Sequence, residues 1–540
     1  MSEFKTIILC GGRINYANLP INTNQSNAMI PINGKPAIGW ILDDLLKKGI
    51  RQVTIAVREQ DRHLRSFLQR AFGNRMTIEM VSLHHDGTIL ESIQACLQTL
   101  PPLARVRIIL GDTLIRDSFE GGDDFVYGGR VTDSRRWCLV QTDEQGRVTR
   151  YLDKCELGWG EYTALAGYYH LTQGAYLQAC VASCIAAGRR ELSDVLSEYG
   201  KKYPIVARLA QEWFDFGNID NLLAAKRQLL QTRYFNSLVI NPVLNTITKV
   251  SAYDDKLADE LDWYLTLPQE LQILAPRIVS HERVNGQAQI VQEYYGYPTL
   301  AELFVYGDLY LDTWHSILAR ALQIHREFRK YPGTLSSAAV ESMYVAKTWQ
   351  RLEDLNLQDP AWHPLLSAKT INFNGRSLRG IPVLATEIHR KAHQLAHTTS
   401  ASIIHGDYCF SNILFDLNNQ IIRLIDPRGS FGVKGNYGDP RYDVAKLRHS
   451  AHELYDFILA DMFELREAET DFQVEIYADG IASQVGEILD RMIVELGYDL
   501  DEIRFIEGLL FISMLPIHHE QLQRQKVMFL TGLALLNEVL

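Results

Sequence analysis

Within residues 403–429, an aspartate (Asp407) follows His-Gly, an asparagine (Asn412) stands five residues later, and a second aspartate (Asp426) opens Asp-Pro-Arg-Gly after an apolar run. A phosphoryl group moving from ATP to a hydroxyl carries negative charge that magnesium neutralises, and that ion takes hard oxygen ligands. Asn412 and Asp426 are the residues suited to hold it. Asp407 then has a different role, accepting the proton of the attacking hydroxyl and keeping its oxygen in line with phosphorus.

These groups need a frame. Apolar runs at 413–415 and 421–425 around Asn418-Asn419 predict a hairpin with Asn412 at its start and Asp426 at its end. The step from Asp407 to Asn412 equals that of the protein-kinase catalytic loop. Such chemistry also needs a strand lysine on the nucleotide phosphates, oriented by a helix glutamate. Lys249 ends a strand over 246–250, after a strand over 237–240, and Glu260 lies on a helix over 254–265. No glycine-rich phosphate loop is visible there. Residues 290–296 alternate and then turn, as a hinge between lobes does. The helical spacing at 309–329 predicts core packing, with Trp314, His315 and His325 as interior side chains. After Asp443 the chain reads as helical to Leu540, with 464–471 a charged solvated face. His449, His452, His518 and His519 lack a metal-binding pattern and read as structural or near the substrate.

Residues 403–446 resemble the aminoglycoside phosphotransferase and choline kinase-like family. The resemblance implies a two-lobed protein-kinase-like fold acting on small molecules, with the insert at 334–397 forming the acceptor wall. It also implies that Asp443, in Gly-Asp-Pro-Arg-Tyr-Asp, caps a helix and braces the catalytic loop.

The first half has a different pattern. A strand over 6–10 runs into Gly11-Gly12, where backbone N–H groups can approach a phosphate. A helix over 38–48 and a strand over 52–57 follow, which predicts a crossover into a parallel sheet. Asp86-Gly87-Thr88 precedes a helix, and the strand over 106–110 ends in Gly111-Asp112, the edge where open α/β sheets place ligands. With Pro31–Pro36, Asp153-Lys154, the Ala-Gly-Tyr at 166–168 and the Trp-Phe-Asp-Phe-Gly at 213–217, residues 1–231 resemble the sugar-phosphate nucleotidyltransferases, whose fold is a Rossmann-like mixed sheet. The resemblance implies magnesium on Asp112 and Asp215, a nucleotide lined by Gly11, Gly12, Gly87 and Gly111, and Lys154 on the sugar phosphate. A lysine usual before the Pro31 segment is replaced by Asn27, a neutral amide that cannot stabilise a developing pyrophosphate. Either Arg13 supplies that charge, or this half keeps a nucleotide-binding shape without the chemistry.

The predicted domains are 1–231, nucleotidyltransferase-like; 232–300, a kinase N-lobe; and 301–540, a largely helical C-lobe. A net charge of −11 without a basic stripe argues against nucleic acid, and seven scattered cysteines argue against a disulfide framework. The start shows no leader and no long apolar run, so the expected setting is the cytoplasm, without a membrane span. The expected activity is bifunctional: ATP phosphorylates a sugar, an amino alcohol or a related small alcohol, and a second NTP donates its nucleotidyl group to that phosphate, with magnesium at both sites. The product would be an NDP-sugar for envelope or capsule polysaccharide. A homo-oligomer is a further expectation. The alternative is a small-molecule kinase whose first half senses a nucleotide sugar.

Overall fold

A computed structural model describes residues 4–13, 26–84, 87–101, 104–217, 219–229, 236–251, 254–284, 287–469, 471–478, 480–519 and 521–540. Asp86, Gln25, residues 14–16 of the glycine turn and the predicted boundary at 231–232 lie outside them. The chain forms two compact units, Met1–Leu229 and Leu230–Leu540.

In the first unit, strand Gln52–Arg58 is buried at every position but the first, as a strand covered on both faces must be. It runs parallel to Phe4–Leu9 and to Thr77–Leu83, and Phe4–Leu9 also pairs in parallel with Arg105–Leu110. Beyond Arg105–Leu110 the long strand Trp159–Leu171 runs antiparallel, giving the expected mixed sheet, nine-stranded among the described residues. Helix Ala37–Lys47 connects the parallel strands, its Ile38, Ile41, Leu42 and Leu45 buried. Helix Ile89–Thr99 starts at a capping box: Glu91 N–H donates to the Thr88 hydroxyl, and the Thr88 N–H to the Glu91 carboxylate. That cap holds the chain directly after Gly87. The short strand Thr113–Ile115 pairs with Trp213–Asp215, which opposes Asp215 to Thr113. Two acidic residues 103 positions apart in sequence, 215 minus 112, thereby meet at one sheet edge.

The second unit opens with a four-stranded antiparallel sheet, in spatial order Asn236–Asn241, Thr246–Ser251, Gln287–Glu293, Ile278–Val284, with helix Asp254–Thr266 beside it. At the first hairpin, where a kinase would carry a glycine-rich loop, Asn241 Oδ1 instead accepts the N–H groups of Val243 and Leu244 in an Asx turn. Helices follow, among them Leu311–Arg329, Lys347–Gln358, Ile381–Thr398, Pro440–Ala451 and Leu500–Met514. The predicted hairpin is present as Ile413–Asp416 with Ile421–Leu424.

Two expectations are corrected. The chain after Asp443 is not helical throughout: Phe463–Ala468 and Asp471–Ile476 form a hairpin that joins Thr370–Phe373 and Arg376–Arg379 in a four-stranded sheet. The charges of 464–468 therefore lie on a strand rather than a helix, and the period of two shows in its partner Asp471–Ile476, where Phe472 is buried between exposed Asp471 and Gln473. His315 is exposed, while Trp314 and His325 on the same helix are buried, because the helix turns only one face inward. Among the described residues no helix is long and apolar enough to cross a membrane.

Candidate active sites

At the carboxyl ends of the parallel strands, Gly111 packs so tightly that an added Cβ would stand 2.7 Å from Cys10 Sγ, and its N–H donates to Leu9 O at 2.9 Å. Asp112 follows. Its Oδ2 accepts a 2.6 Å hydrogen bond from Asn27 Nδ2, and Asn27 N–H donates to Gly12 O at 3.1 Å. Asp215 Oδ2 accepts from Asn221 Nδ2 at 2.6 Å and its Oδ1 from Gly217 N–H at 3.2 Å. A Cβ on Gly217 would lie 3.0 Å from Asp112 Oδ2 and 3.2 Å from Asp215 Oδ1, so the glycine leaves both carboxylates free to converge. Burial first, and then the charge of Asp215, push the Asp112 carboxyl up to about 7; burial also raises Asp215. Two desolvated carboxylates that repel each other are a frame for a divalent cation. Buried Asn27 Oδ1 has no hydrogen-bond partner among the described residues, which leaves a further oxygen at this edge.

The other predicted residues of this unit fall around that centre. Gly11 and Gly12 form the turn after Phe4–Leu9, with Gly12 against the Asn27 amide, and Gly87 precedes the capped helix. Arg13 is exposed and bridges to Ser26. Lys154 is exposed, at a φ of 45°, with its N–H on Trp137 O. A cavity of about 510 Å³ beside Asp215 is walled by Trp137, Trp159 and Trp213 together with Arg130 and Glu161.

In the second unit, Lys249 Nζ donates to Glu260 Oε2 at 2.6 Å and to Asp426 Oδ1 at 2.8 Å. Burial disfavours its charge, but Asp426 and Glu260 outweigh burial and hold the ammonium well above its usual range. Burial raises Glu260 to about 7 against the pull of Lys249. Asp426 sits at a φ of 56°, a left-handed backbone that turns its carboxylate out of the hairpin toward Lys249. Asn412 Nδ2 donates to Asp407 Oδ2 at 3.0 Å and to Asp407 O at 2.9 Å, leaving its Oδ1 outside those bonds. Asn412 and Asp426 thus offer the amide and carboxylate oxygens that magnesium prefers. Asp443 accepts the His405 and Gly406 N–H groups at 2.7 and 2.8 Å, clamping the backbone just before Asp407, but it lies inside helix Pro440–Ala451, whose cap is Asp439 rather than Asp443.

Residues 5–232 match the family model described as nucleotidyl transferase, and residues 244–473 match the one described as phosphotransferase enzyme family. The chain carries one domain of each family. A bifunctional sugar-1-phosphate nucleotidylyltransferase/acetyltransferase from Sulfurisphaera tokodaii is 20% identical over 224 residues, 40% of this chain. The match spans about half, 53%, of that relative. A protein assigned as a glucose-1-phosphate thymidylyltransferase from Bacillus anthracis aligns over 43% of this chain and 97% of its own, at 18% identity and a TM-score of 0.38. The CTP:phosphocholine cytidylyltransferase of Streptococcus pneumoniae aligns over 42% and 100%, at 16% identity and a TM-score of 0.35.

The phosphotransferase domain holds a partner that sequence reading missed. Lys446 Nζ lies 2.8 Å from Asp407 Oδ1. Burial pushes the Asp407 carboxyl up, but Lys446 outweighs it and holds the group well below the usual carboxylate range. Lys446 stands three residues after Asp443 on helix Pro440–Ala451, so both face the loop that carries Asp407; that i, i+3 spacing was the available signal. Its consequence is testable. Wild-type kcat/KM for phosphorylation is expected to be flat with respect to Asp407 between pH 5 and 8. Lys446→Met removes the cation that keeps the carboxyl ionised, so activity should fall as the pH drops. A profile unchanged in the variant refutes this role.

The histidines left unassigned by sequence separate. His449 is buried against Tyr455, His452 pairs with Glu453, and His518 hydrogen-bonds the Tyr455 hydroxyl. Among the described residues, the cluster with three metal-capable ligand atoms within 4.8 Å is Glu341, His393 and His397 instead.

Proposed function

We propose that the phosphotransferase domain moves the γ-phosphoryl group of ATP to a hydroxyl of a sugar or related small alcohol, and that the nucleotidyl transferase domain activates the resulting phosphate as an NDP-sugar for envelope or capsule polysaccharide. What carries this reading is the occurrence, on one chain, of the Asp407–Asn412–Asp426 set tied to Lys249 and of the Asp112–Asp215 pair. In the first step the acceptor hydroxyl gives its proton to Asp407 as its oxygen bonds phosphorus, the β–γ anhydride breaks, and ADP leaves. Lys249, oriented by Glu260, binds the donor phosphates, and Asp443 keeps the loop rigid enough for in-line attack. In the second step an oxygen of the new phosphate attacks the α-phosphorus of a second NTP, and pyrophosphate leaves. Gly11, Gly12, Gly87 and Gly111 let the backbone approach the nucleotide, while Arg13 and Lys154 supply positive charge from the rim. Magnesium, when bound at Asp112 with Asp215 and at Asn412 with Asp426, neutralises the charge that develops on phosphate oxygens.

The sugar phosphate as nucleotidyl acceptor is supported by the name of the curated relative. The test is a product assay by mass spectrometry, with magnesium, ATP, each NTP in turn and a panel of sugars and alcohols. A monophosphate and an NDP-linked product from one acceptor are expected. A monophosphate alone favours the second reading, in which the first domain senses a nucleotide sugar.

That second reading rests on Asn27, whose neutral amide occupies Asp112 Oδ2. Asn27→Lys places an ammonium at the same edge. If the missing cation limits chemistry, nucleotidyl transfer should rise by about tenfold or more, the scale of one electrostatic contact in a transition state. Unchanged transfer in a variant that still binds the nucleotide favours the sensor.

A further inference from the structure

The acceptor side of the phosphotransferase site holds more positive charge than the phosphoryl chemistry described above uses. Lys347 and Arg351 lie one turn apart on helix Lys347–Gln358 and so share a face. Arg428 follows Asp426 by two residues, its N–H donates to His405 O at 2.9 Å, and its Cβ stands 2.7 Å from where a Cβ on Gly406 would be. It therefore lies against the residue next to Asp407. Arg428 Nη1 donates to the Tyr442 hydroxyl at 3.1 Å, Arg351 Nη1 to Ser513 O at 2.6 Å, and among the described residues Lys347 Nζ reaches only the thioether of Met343, at 3.7 Å.

Neighbouring contacts place the three together: the Tyr442 ring that Arg428 meets stacks on Tyr344, just before helix Lys347–Gln358, at 6.3 Å, and Arg351 meets Ser513 beside Met514, whose thioether lies 3.5 Å from Lys446 Nζ. Burial, then Arg428, Arg351 and Lys446, hold the Lys347 ammonium well below its usual range, and burial followed by Arg428 lowers Arg351. Lys256, from helix Asp254–Thr266, is lowered by burial and then by the same two arginines. The opposing groups are few. Asp407 already pairs with Lys446, and Asp354 and Tyr442 act on Arg351 only at longer range. Among the described residues no carboxylate forms an ion pair with Lys347, Arg351 or Arg428. Holding like charges together, partly desolvated and without counter-ions, costs stability unless a ligand anion completes the cluster.

We propose that Lys347, Arg351 and Arg428 form an anion subsite beside Asp407, and that the acceptor alcohol is itself anionic: a sugar acid or a sugar that already carries a phosphate. This rests on the kinase reading of Asp407 and narrows its acceptor. The fork of each arginine fits a carboxylate or phosphate, the two sources of this chemistry, and the same charge repels amino alcohols. Lys249 grips the donor from the four-stranded sheet, whereas this cluster comes from the helical part and the segment after Asp426.

The experiment is calorimetry on the full chain with Mg·ADP, using glucose, glucuronate, glucose 6-phosphate and choline, alongside ADP release with ATP and the same compounds. An anionic sugar is expected to bind at least tenfold more tightly than glucose, and choline not to bind. Between the two anions, preference for the phosphate or the carboxylate decides the source. Arg351→Gln and Lys347→Gln are each expected to weaken anionic binding by about 10- to 100-fold, the range of a charge-assisted contact, with KM for ATP within twofold. Arg351→Lys should recover part of the loss, which a merely structural defect would not show. Equal binding of glucose, or a variant that raises KM for ATP instead, overturns the subsite. Anion-selective binding with no ADP release from any compound keeps the subsite and counts against the kinase reading.

Discussion

Asp407→Asn is expected to lower ATP-dependent phosphorylation by about 10²- to 10⁴-fold, the range for removing a positioned general base. The amide keeps the shape of the carboxylate and can still meet Asn412, so the change removes proton acceptance with little loss of geometry. It also leaves Lys446 buried without its counter-ion, which destabilises for a reason unrelated to catalysis. The double variant Asp407→Asn, Lys446→Met separates the two effects. It should melt closer to wild type than the single variant does, and still fail to turn over. ADP release with a working acceptor and thermal melting are the measurements; undiminished turnover by Asp407→Asn removes the proposed role.

Asp112→Asn should have the second large effect, and in opposite directions for stability and activity. Without magnesium, the variant relieves repulsion between two half-buried carboxylates and should melt at a higher temperature than wild type. With magnesium the order should reverse, because only the wild type gains stability by binding the ion at that pair. Nucleotidyl transfer should fall by about 100-fold or more, as expected when charge stabilisation of the transition state is lost. A variant that melts no higher than wild type without the ion, or gains as much from it, would show that Asp112 and Asp215 do not act as a cation pair.

Much of this was legible from local pattern. Parallel strands buried on both faces read as continuous apolar runs, and Gln52–Arg58 and Arg105–Leu110 stand within one or two residues of where those runs predicted them. The hairpin between Asn412 and Asp426 was readable because short apolar runs flank an Asn-Asn turn. The hairpin Phe463–Ala468 with Asp471–Ile476 escaped because its alternation was masked by charge. A run dense in Glu and Arg suits a solvated helix and the outer face of an edge hairpin equally well, and pairing with Thr370–Phe373 selected the strand.

The candidate sites divide along the same line. Asp407, Asn412 and Asp426 lie within one loop and hairpin, so their grouping is encoded by short spacing alone. Lys249 meets Asp426 across 177 positions, and Asn27 meets Asp112 across 85. Contacts of that kind are made by sheet register and helix packing, to which a single chain pattern is blind. The charge state of each acidic group belongs to the same class. Half-buried Asp407 and fully buried Asp443 meet at one loop, yet the first carboxyl is held far below its ordinary range and the second raised to about 7. Both begin from desolvation; the difference is that Asp407 has Lys446 within 2.8 Å and Asp443 has only backbone N–H groups. Residue types named the candidates, and the neighbours that folding brought to them set their charge.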